Sequence, residues 1–241
     1  MDSHNLPTLL VLAGGFGTRL QSVVADVPKP LAPVCSKPFL FHQLNNWYAQ
    51  GARDIILSLH FKSELIQEFV SKQQKSGSWP DCNITCLTES QPLGTGGAIA
   101  FAVKELALEK PFIAVNADTW LGTGLQEICE VEFPAISVVE VKDAGRYGLV
   151  KTKDGIVQQF EEKRSEGKPG TINAGIYFLS PKMFQDWQGQ AYSIEADIFP
   201  DMASKGILRC LPLKTDFLDI GVPDDYLHFC YWIKEKRGFL L

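Results

Sequence analysis

A short apolar run that breaks at two adjacent glycines is the feature that most constrains how this chain folds. Residues 8–13 read TLLVLA, and residues 14–19 read GGFGTR. A run of this length bounded by glycine predicts a buried strand that leads into a loop. Glycine lets backbone N–H groups approach a phosphate closely, and Arg19 supplies a planar set of donors that matches phosphate oxygens. The stretch therefore predicts a triphosphate-binding loop, with Lys29 held nearby between two prolines.

Two common glycine motifs do not fit this loop. The dinucleotide fingerprint needs its third glycine where Leu20 stands, and the P-loop needs a Gly-Lys-Ser/Thr tripeptide that does not follow here. A plain turn would also be rich in glycine. A plain turn does not, however, call for Arg19 and a proline-flanked Lys29. The pattern favours a phosphate loop of another kind.

The composition is that of an ordinary folded protein, with 241 residues of which 45% are hydrophobic and 21% charged. It predicts one domain, residues 1–241, with a sizeable core. A net charge of −5 argues against nucleic acid or an anionic membrane as a partner, because both call for a basic surface. No apolar run reaches the roughly eighteen residues of a membrane span, and the start of the chain lacks the pattern of a signal peptide. The six cysteines have no zinc-site spacing. We therefore expect free thiols and a cytoplasmic location.

The first half of the chain, about residues 1–133, alternates predicted strands and helices. After the first strand these are a helix over 38–50, a strand over 54–59, a helix capped by Ser63, a strand over 83–89, a helix from near Ala98 and a strand over 111–118. This rhythm predicts a largely parallel sheet with helices on both faces, which binds ligands at the carboxyl ends of its strands.

The second half, about residues 134–241, has a different pattern of apolar runs and turns. Its apolar runs are separated by short turns such as Asp154-Gly155, which is typical of hairpins, and Pro223 marks the first turn of a final helix. We expect a smaller mixed β region that closes over the first half as a lid. The fold class is α/β, with a Rossmann-like, mostly parallel or mixed central sheet flanked by helices.

Several motifs resemble one family. GGFGTRL followed by PKP is the signature of the sugar-1-phosphate nucleotidyltransferases, and this chain resembles them over almost its whole length. Further matches are NAD at 116–118, RYG at 146–148, EK at 162–163, INAG at 172–175 and FLDIGVPDDY at 217–226. The resemblance implies the nucleotide-diphospho-sugar transferase fold and transfer of a nucleotidyl group from a nucleoside triphosphate to a sugar 1-phosphate. Larger members carry a C-terminal β-helix, and none is expected here.

That reaction aligns two anions that repel each other, so it calls for fixed cations and a divalent metal. The resemblance implies that Asp118 and Asp219 bind Mg²⁺. It also implies three cationic catalytic residues: Arg19 for the departing pyrophosphate, Lys29 for the phosphates at the reacting centre and Lys163 for the sugar phosphate. From the residues alone, Asp219 also fits a turn aspartate, and EEKR at 161–164 also fits a solvated run of charge.

The remaining implied contacts divide between the nucleotide and the sugar. The predicted nucleotide-binding residues are Leu12, Ala13, Gly14, Gly15, Gly17, Thr18, Gln91, Gly96 and Asp118. The predicted sugar-binding residues are Tyr147, Gly148, Glu162 and Asn173. A packing role explains Tyr147 equally well. Gln91 stands where the family often carries Glu, and Gln can donate as well as accept, so analogy alone leaves the choice of base open.

Within the family, PLGTGGAI, DAGRYGLV and DIGVPDDYLHFC look most like D-glycero-α-D-manno-heptose-1-phosphate guanylyltransferases, which make GDP-heptose for surface polysaccharides. The expected partners are therefore GTP and a manno-configured sugar 1-phosphate. The alternatives are an N-acetylmuramate-1-phosphate uridylyltransferase, a mannose- or glucose-1-phosphate enzyme, and a catalytically silent regulator that binds nucleotide sugars. Homo-oligomerisation is left open by the sequence.

Overall fold

The computed structural model describes residues 6–20, 22–24, 27–161 and 167–236. Its strands are β1 (Leu9–Leu12), β2 (Pro33–Val34), β3 (Lys37–Pro38), β4 (Asp54–Leu59), β5 (Asn83–Thr88), β6 (Phe112–Asn116), β7 (Thr119–Leu121), β8 (Ala135–Val141), β9 (Leu149–Lys153), β10 (Ile156–Glu161), β11 (Gly170–Leu179), β12 (Arg209–Pro212) and β13 (Phe217–Asp219). Its α-helices are α1 (Phe39–Ala49), α2 (Ser63–Lys75), α3 (Gly94–Glu105), α4 (Leu125–Ile128), α5 (Phe199–Ser204) and α6 (Pro223–Lys236).

A nine-stranded sheet in the order β5-β4-β1-β6-β11-β8-β12-β10-β9 forms the centre of the fold. Strands β5, β4, β1 and β6 are parallel. Strand β11 then runs antiparallel to both β6 and β8, while β12 is parallel to β8. The α/β class is thereby confirmed. Strands β8 to β12 of the second half extend the same sheet through the β6–β11 pairing and do not form the separate small sheet that the turn pattern predicted, whereas β13 pairs with β7 in a two-stranded sheet.

Alternation along the parallel strands builds a core on each face of the sheet, because successive side chains of a strand point to opposite faces. Leu9 and Ile55 pack with α1 and α2 on one face. Leu10 and Ile56 pack with Ile99 of α3 on the other face. With both faces covered, the central parallel strands β1, β4 and β6 are mainly apolar, and each therefore contains a hydrophobic run in the sequence.

A third cluster of apolar side chains packs α6 against the start of the chain. The ring of Phe229 lies 4.9 Å from Phe39 and 5.5 Å from Trp120, measured between ring centroids. Leu20 and Leu218 belong to the same cluster. Since Leu218 precedes Asp219 and Leu20 follows Arg19, this packing brings the Asp219 segment close to the first glycine loop.

Two predicted helix starts differ from the structure. Helix α3 begins at Gly94 instead of near Ala98, because the carbonyl of Tyr192 accepts the N–H groups of Gly96 and Gly97 that would otherwise lack partners. Ser63 is the first residue of α2 and not its cap. Lys62, in the left-handed conformation (φ 50°), occupies the cap position without a side-chain hydrogen bond.

All six cysteines lie within the described ranges, and each is a free thiol, as predicted. Within those ranges, no helix combines the length and apolar character needed to cross a membrane.

Candidate active site

A cavity of about 470 Å³ opens at the carboxyl ends of the parallel strands. Its walls are the first glycine loop (12–19), the turn at Lys29, the second glycine loop (92–95) and the end of β6 (116–118). This volume falls within the usual range for small-molecule sites. The predicted residues that line it are Leu12, Ala13, Gly14, Gly15, Gly17, Thr18, Arg19, Lys29 and Asp118.

The first glycine loop leaves space on its cavity side. A Cβ added at Gly15 would have no atom within 4 Å, whereas one at Gly17 would come 2.9 Å from the Cβ of Lys29. Gly17 also has a φ of +60°, which favours glycine. Its carbonyl accepts from the Leu20 N–H and begins the short turn that carries Arg19, whose side chain is exposed at the cavity mouth. The loop thus packs against Lys29 on one side and is open to a ligand on the other.

Lys29 forms an ion pair with Asp118, with 2.7 Å between Nζ and Oδ2. The side chain of Lys29 is 10% exposed and that of Asp118 is 43% exposed. The pair joins the turn after the glycine loop to the end of β6. A cation held this way faces the cavity in a fixed position, with part of its charge balanced by a carboxylate that is accessible to solvent.

Asp219 lies next to Asp118, because β13 pairs with β7 in a register that sets Asp219 opposite Thr119. The Ile220 N–H donates to the backbone carbonyl of Asp118 at 3.0 Å, and the Gly221 N–H donates to Asp219 Oδ1 at 2.7 Å. Burial, followed by the negative charge of Asp118, raises the pKa of the Asp219 carboxyl. Two carboxylates that disfavour each other's charge make a place where a cation is stabilised.

The donor set of this pair suits Mg²⁺. Carboxylate oxygens are its preferred protein ligands, and one or two are enough because Mg²⁺ keeps several waters and binds substrate phosphates. In the part of the chain that the structure describes, no group of three or more His, Cys, Asp or Glu side chains is arranged to hold a metal ion by itself. The site therefore fits a metal that arrives with a phosphate ligand better than a metal caged by protein.

Arg146 and Tyr147 support the Asp219 segment. Arg146 pairs with Asp225 in the first turn of α6, and its Nη2 donates to the Tyr147 hydroxyl at 3.2 Å. The Tyr147 hydroxyl lies 3.5 Å from Asp219 Oδ2. Burial raises the pKa of Tyr147 to about 12, so this hydroxyl stays protonated near neutral pH. Tyr147, a predicted sugar-binding residue, thus contacts the candidate metal ligand.

Among the residues that the structure describes, the predicted contacts Gln91, Gly96, Gly148 and Asn173 do not line the cavity. Gln91 is exposed beside it, and a Cβ added at Gly96 would clash with the ring of Tyr192. At Gly148 a Cβ would come 3.1 Å from the carbonyl oxygen of Glu161. Asn173 is hydrogen-bonded to Tyr177 and to the Gly175 N–H. The predicted residues Glu162 and Lys163 lie outside the described ranges.

Glu89 is a cavity residue that the sequence reading missed. It is 5% exposed and directly follows β5. Its Oε1 accepts from the Ser58 hydroxyl at 2.9 Å, and its Oε2 accepts from the Leu93 N–H at 3.1 Å. Burial raises the pKa of its carboxyl. The signal was available, because Glu89 stands at the carboxyl end of a parallel strand, which is the criterion that found Asp118.

Residues 8–235 match the sequence model of the nucleotidyl transferase family. The mannose-1-phosphate guanyltransferase beta-A of Xenopus laevis is 33% identical over 246 residues, which cover 95% of this chain and 65% of that protein. The mannose-1-phosphate guanyltransferase of Schizosaccharomyces pombe gives the same identity and shares. The chain thus spans slightly less than two thirds of the length of these relatives.

Solved structures agree with this match. The crystal structure of HddC from Yersinia pseudotuberculosis complexed with GMP-PN has a TM-score of 0.83 at 36% identity, and covers 95% of this chain and 100% of that one. A UDP-glucose pyrophosphorylase complexed with UDP-glucose has a TM-score of 0.76 at 18% identity, over 96% of this chain and 99% of that one. At that identity the second likeness concerns the fold alone.

Proposed function

The chain belongs to the nucleotidyl transferase family, and we propose that it transfers a nucleotidyl group from a nucleoside triphosphate to a sugar 1-phosphate and releases pyrophosphate. The observation that carries this proposal is the meeting of Lys29, Asp118 and the open glycine loop at one cavity. A cation, a carboxylate and backbone N–H donors are what phosphoryl-type transfer requires.

In the proposed mechanism the protein aligns two anions and neutralises charge. The attacking oxygen of a sugar phosphate is already negative, so no general base is needed. The N–H groups of the first glycine loop would hold the triphosphate, with Lys29 beside the reacting phosphate and Arg19 at the cavity mouth beside the departing pyrophosphate. We also propose that Lys163 holds the sugar phosphate, with Glu162 and Asn173 on the sugar hydroxyls.

Asp118 and Asp219 are the residues that would hold Mg²⁺. When bound, the ion supplies positive charge that screens the triphosphate and stabilises the pyrophosphate as it leaves. Lys29 would then interact with both Asp118 and a phosphate oxygen.

The chain would be one domain with two halves. The first half, about residues 1–133, would hold the nucleotide, and the second half, about residues 134–241, would hold the sugar.

We propose GTP as the nucleotide. The guanyltransferase names of the relatives and the GMP-PN bound to HddC support this choice. Glu89 supports it independently, because a carboxylate only accepts hydrogen bonds and keeps acceptor capacity beyond the two bonds it makes here. Guanine offers two adjacent N–H donors on its Watson–Crick edge, whereas the other bases present an acceptor beside each donor. Gln91 and Gly96 stay as proposed contacts around the base.

For the sugar we propose a manno-configured 1-phosphate, with D-glycero-α-D-manno-heptose 1-phosphate favoured by the motif resemblance. Mannose 1-phosphate is the second candidate, because the curated relatives carry that substrate in their names. The product would be a GDP-sugar for surface polysaccharide synthesis. The free thiols are consistent with the cytoplasmic location that we propose.

The test is pyrophosphate release in the presence of Mg²⁺, measured for four nucleoside triphosphates against the 1-phosphates of heptose, mannose, glucose and N-acetylmuramate. We expect turnover with GTP and one manno-configured substrate, and loss of turnover on chelation of the metal. No turnover in any combination, together with binding of GDP-sugars in a thermal-shift assay, would overturn the proposal and favour a silent regulator.

A further inference from the structure

A chain of polar groups adjoins the cavity through Thr95 and Asn116, and its central carboxylate has no role in the proposed chemistry. Its centre is Glu195, on the helical turn Ile194–Ile198. Tyr177 donates to Glu195 Oε1 at 3.0 Å, and Ser193 donates to Oε2 at 2.9 Å. The Thr95 hydroxyl also donates to Oε2. Hydroxyls from three separate segments thus converge on one carboxylate.

Tyr177 uses every hydrogen-bonding position of its hydroxyl. The side chain is fully buried in β11, and burial together with the charge of Glu195 raises its pKa well above the usual range. The hydroxyl therefore stays protonated and donates to Glu195. It accepts from Asn173 Nδ2 at 3.0 Å, and the side chain of Asn116 is its other partner. A hydroxyl has one donor and two acceptor positions, so none is spare.

These contacts fix the amide of Asn173 at both ends. Its Nδ2 is bound to Tyr177, and its Oδ1 accepts from the Gly175 N–H at 3.0 Å. Gly175 has a φ of +82° and lies where β11 loses its regular register with β8. A side chain there would come 2.9 Å from Asn116 Nδ2. The irregular segment thus leaves room for Asn116 and directs a backbone donor at Asn173.

The same network reaches the nucleotide side of the cavity. Thr95 lies in the first turn of α3 and lines the cavity, as does Asn116. The Thr95 hydroxyl also accepts from the Ile194 N–H at 3.0 Å, so it is held from two directions. Glu195 therefore connects the second glycine loop, on one side, with the strand that carries Asn173, on the other.

We propose that Tyr177 and Glu195 are positioning residues that hold Asn173 and Thr95 in one arrangement. The second glycine loop, which carries Thr95, is then already in place when the sugar 1-phosphate binds. This inference rests on the proposed function, in which Asn173 contacts the sugar. Neither Tyr177 nor Glu195 lines the cavity, and both act through the groups they bind.

The first test is steady-state kinetics of Tyr177→Phe, which removes one oxygen and keeps the ring. We expect the KM for the sugar 1-phosphate to rise about tenfold, because the Asn173 amide loses a buried partner, while the KM for GTP changes by less than about twofold. Ser193→Ala is the matched control, since it removes a hydroxyl from the same carboxylate without touching Asn173. An equal rise in the sugar KM in both variants would overturn the proposal.

A double-mutant cycle tests whether Tyr177 acts through Asn173. If it does, adding Tyr177→Phe to Asn173→Ala should leave the sugar KM of Asn173→Ala unchanged. Independent effects that multiply would overturn the inference. Should Tyr177→Phe fail to fold, Glu195→Gln takes its place. Because Tyr177 and Thr95 donate to different oxygens of Glu195 and Gln keeps only one of the two, we expect the KM values for both substrates to rise, and two unchanged values would contradict the proposal.

Calorimetric titration with GDP-mannose and with GTP separates this inference from the proposed function. Tyr177→Phe should weaken binding of GDP-mannose about tenfold and leave GTP binding unchanged, whether or not the wild type turns over. A wild type that binds both ligands but releases no pyrophosphate would contradict the proposed function alone. Unaltered GDP-mannose binding in the variant would contradict the positioning role alone.

Discussion

The two glycine-rich loops of this protein look alike in sequence and differ in what their glycines face. In the first loop, a Cβ added at Gly15 would meet nothing within 4 Å. In the second, a Cβ at Gly94 would come 2.5 Å from the carbonyl oxygen of Tyr192, and Gly96 packs under the Tyr192 ring. Gly14 and Gly17 of the first loop pack against Glu89 and Lys29, so Gly15 is the glycine of that loop that leaves space for a ligand. In the second loop, the missing side chains leave room for another part of the chain to pack.

The difference shows that a glycine motif indicates a group lying close to the backbone. It does not indicate whether that group is a ligand or another part of the chain. In the first loop the remaining neighbours are charged, with Arg19 and Lys29 beside the cavity. In the second, the Gly96 N–H donates to Tyr192, so this donor is already used. We therefore expect substitution of Gly15 in the first loop to reduce activity and substitution of Gly96 in the second to reduce stability.

The largest effect is expected from the charge that accompanies the first loop. Lys29→Ala should lower kcat/KM by about 10³-fold, because a fixed cation at the reacting phosphate is lost. The melting temperature should change little, since Asp118 is partly exposed and can be solvated. Lys37→Ala, on the adjacent hairpin, is the matched control and should retain activity. Equal losses in the two variants would mean that Lys29 has no special role.

A methyl group in the open loop should act on activity alone. Gly15→Ala places its Cβ in the space meant for phosphate, and we expect kcat/KM to fall by about 10²-fold with an unchanged unfolding free energy. Pyrophosphate-release kinetics and urea unfolding measure the two quantities on one preparation. Normal turnover would show that the triphosphate does not approach this glycine.

A methyl group in the packed loop should act on stability. Gly96→Ala would push against the Tyr192 ring and lower the unfolding free energy by about 1–3 kcal/mol. Removing the ring in Tyr192→Ala should make a further Gly96→Ala change nearly neutral. Denaturant unfolding of the four proteins in this cycle provides the measurement. If Gly96→Ala lowers the unfolding free energy as much in the Tyr192→Ala variant as in the wild type, the packing explanation is refuted.

The smallest effect concerns Glu89, which lies between the loops. A Cβ on Gly14 would come 3.3 Å from its Oε1, and Leu93 donates to its Oε2. Burial raises the folded-state pKa of Glu89 above the ordinary value of 4.5, so the native state binds more protons than the unfolded state between the two values. The free-energy cost of burying the ionised Glu89 carboxylate is absent below pH 4.5. It grows as the pH rises through the folded-state pKa of Glu89. Unfolding measured from pH 4.5 to 8 should show Glu89→Gln gaining stability relative to wild type as pH rises, and a constant difference would contradict this account.

Local sequence patterns predicted much of the fold and part of the candidate site. Strand β4 has the bounds that its apolar run predicted, and Arg19, Lys29 and Asp118 line one cavity as expected from strand ends in a parallel sheet. These features depend on residues close in sequence. Asp219 was found only through the family motif, since an aspartate at the end of a short strand fits a turn as well.

The features that the sequence did not reveal depend on distant pairings. Tyr192 contacts Gly96 across nearly one hundred residues, so no local pattern predicts that the glycine is occupied. The β6–β11 pairing joins the two halves in one sheet, and hairpin turns alone cannot tell an extension from a separate lid. The link from Tyr147 to Asp219 likewise appears only when the turn before β9 lies against the end of β13. Lys163 and Glu162 remain predictions.

The packing of α6 also sets the order in which the site can appear on the ribosome. The glycine loop and Asp118 emerge early, whereas the segment that carries Asp219 leads into α6, which is held by the packing of Phe229 against Phe39 and Trp120. A nascent chain therefore lacks the completed Asp118–Asp219 edge until α6 has left the exit tunnel and docked. Competence for the chemistry proposed here would arrive in a single step when α6 docks.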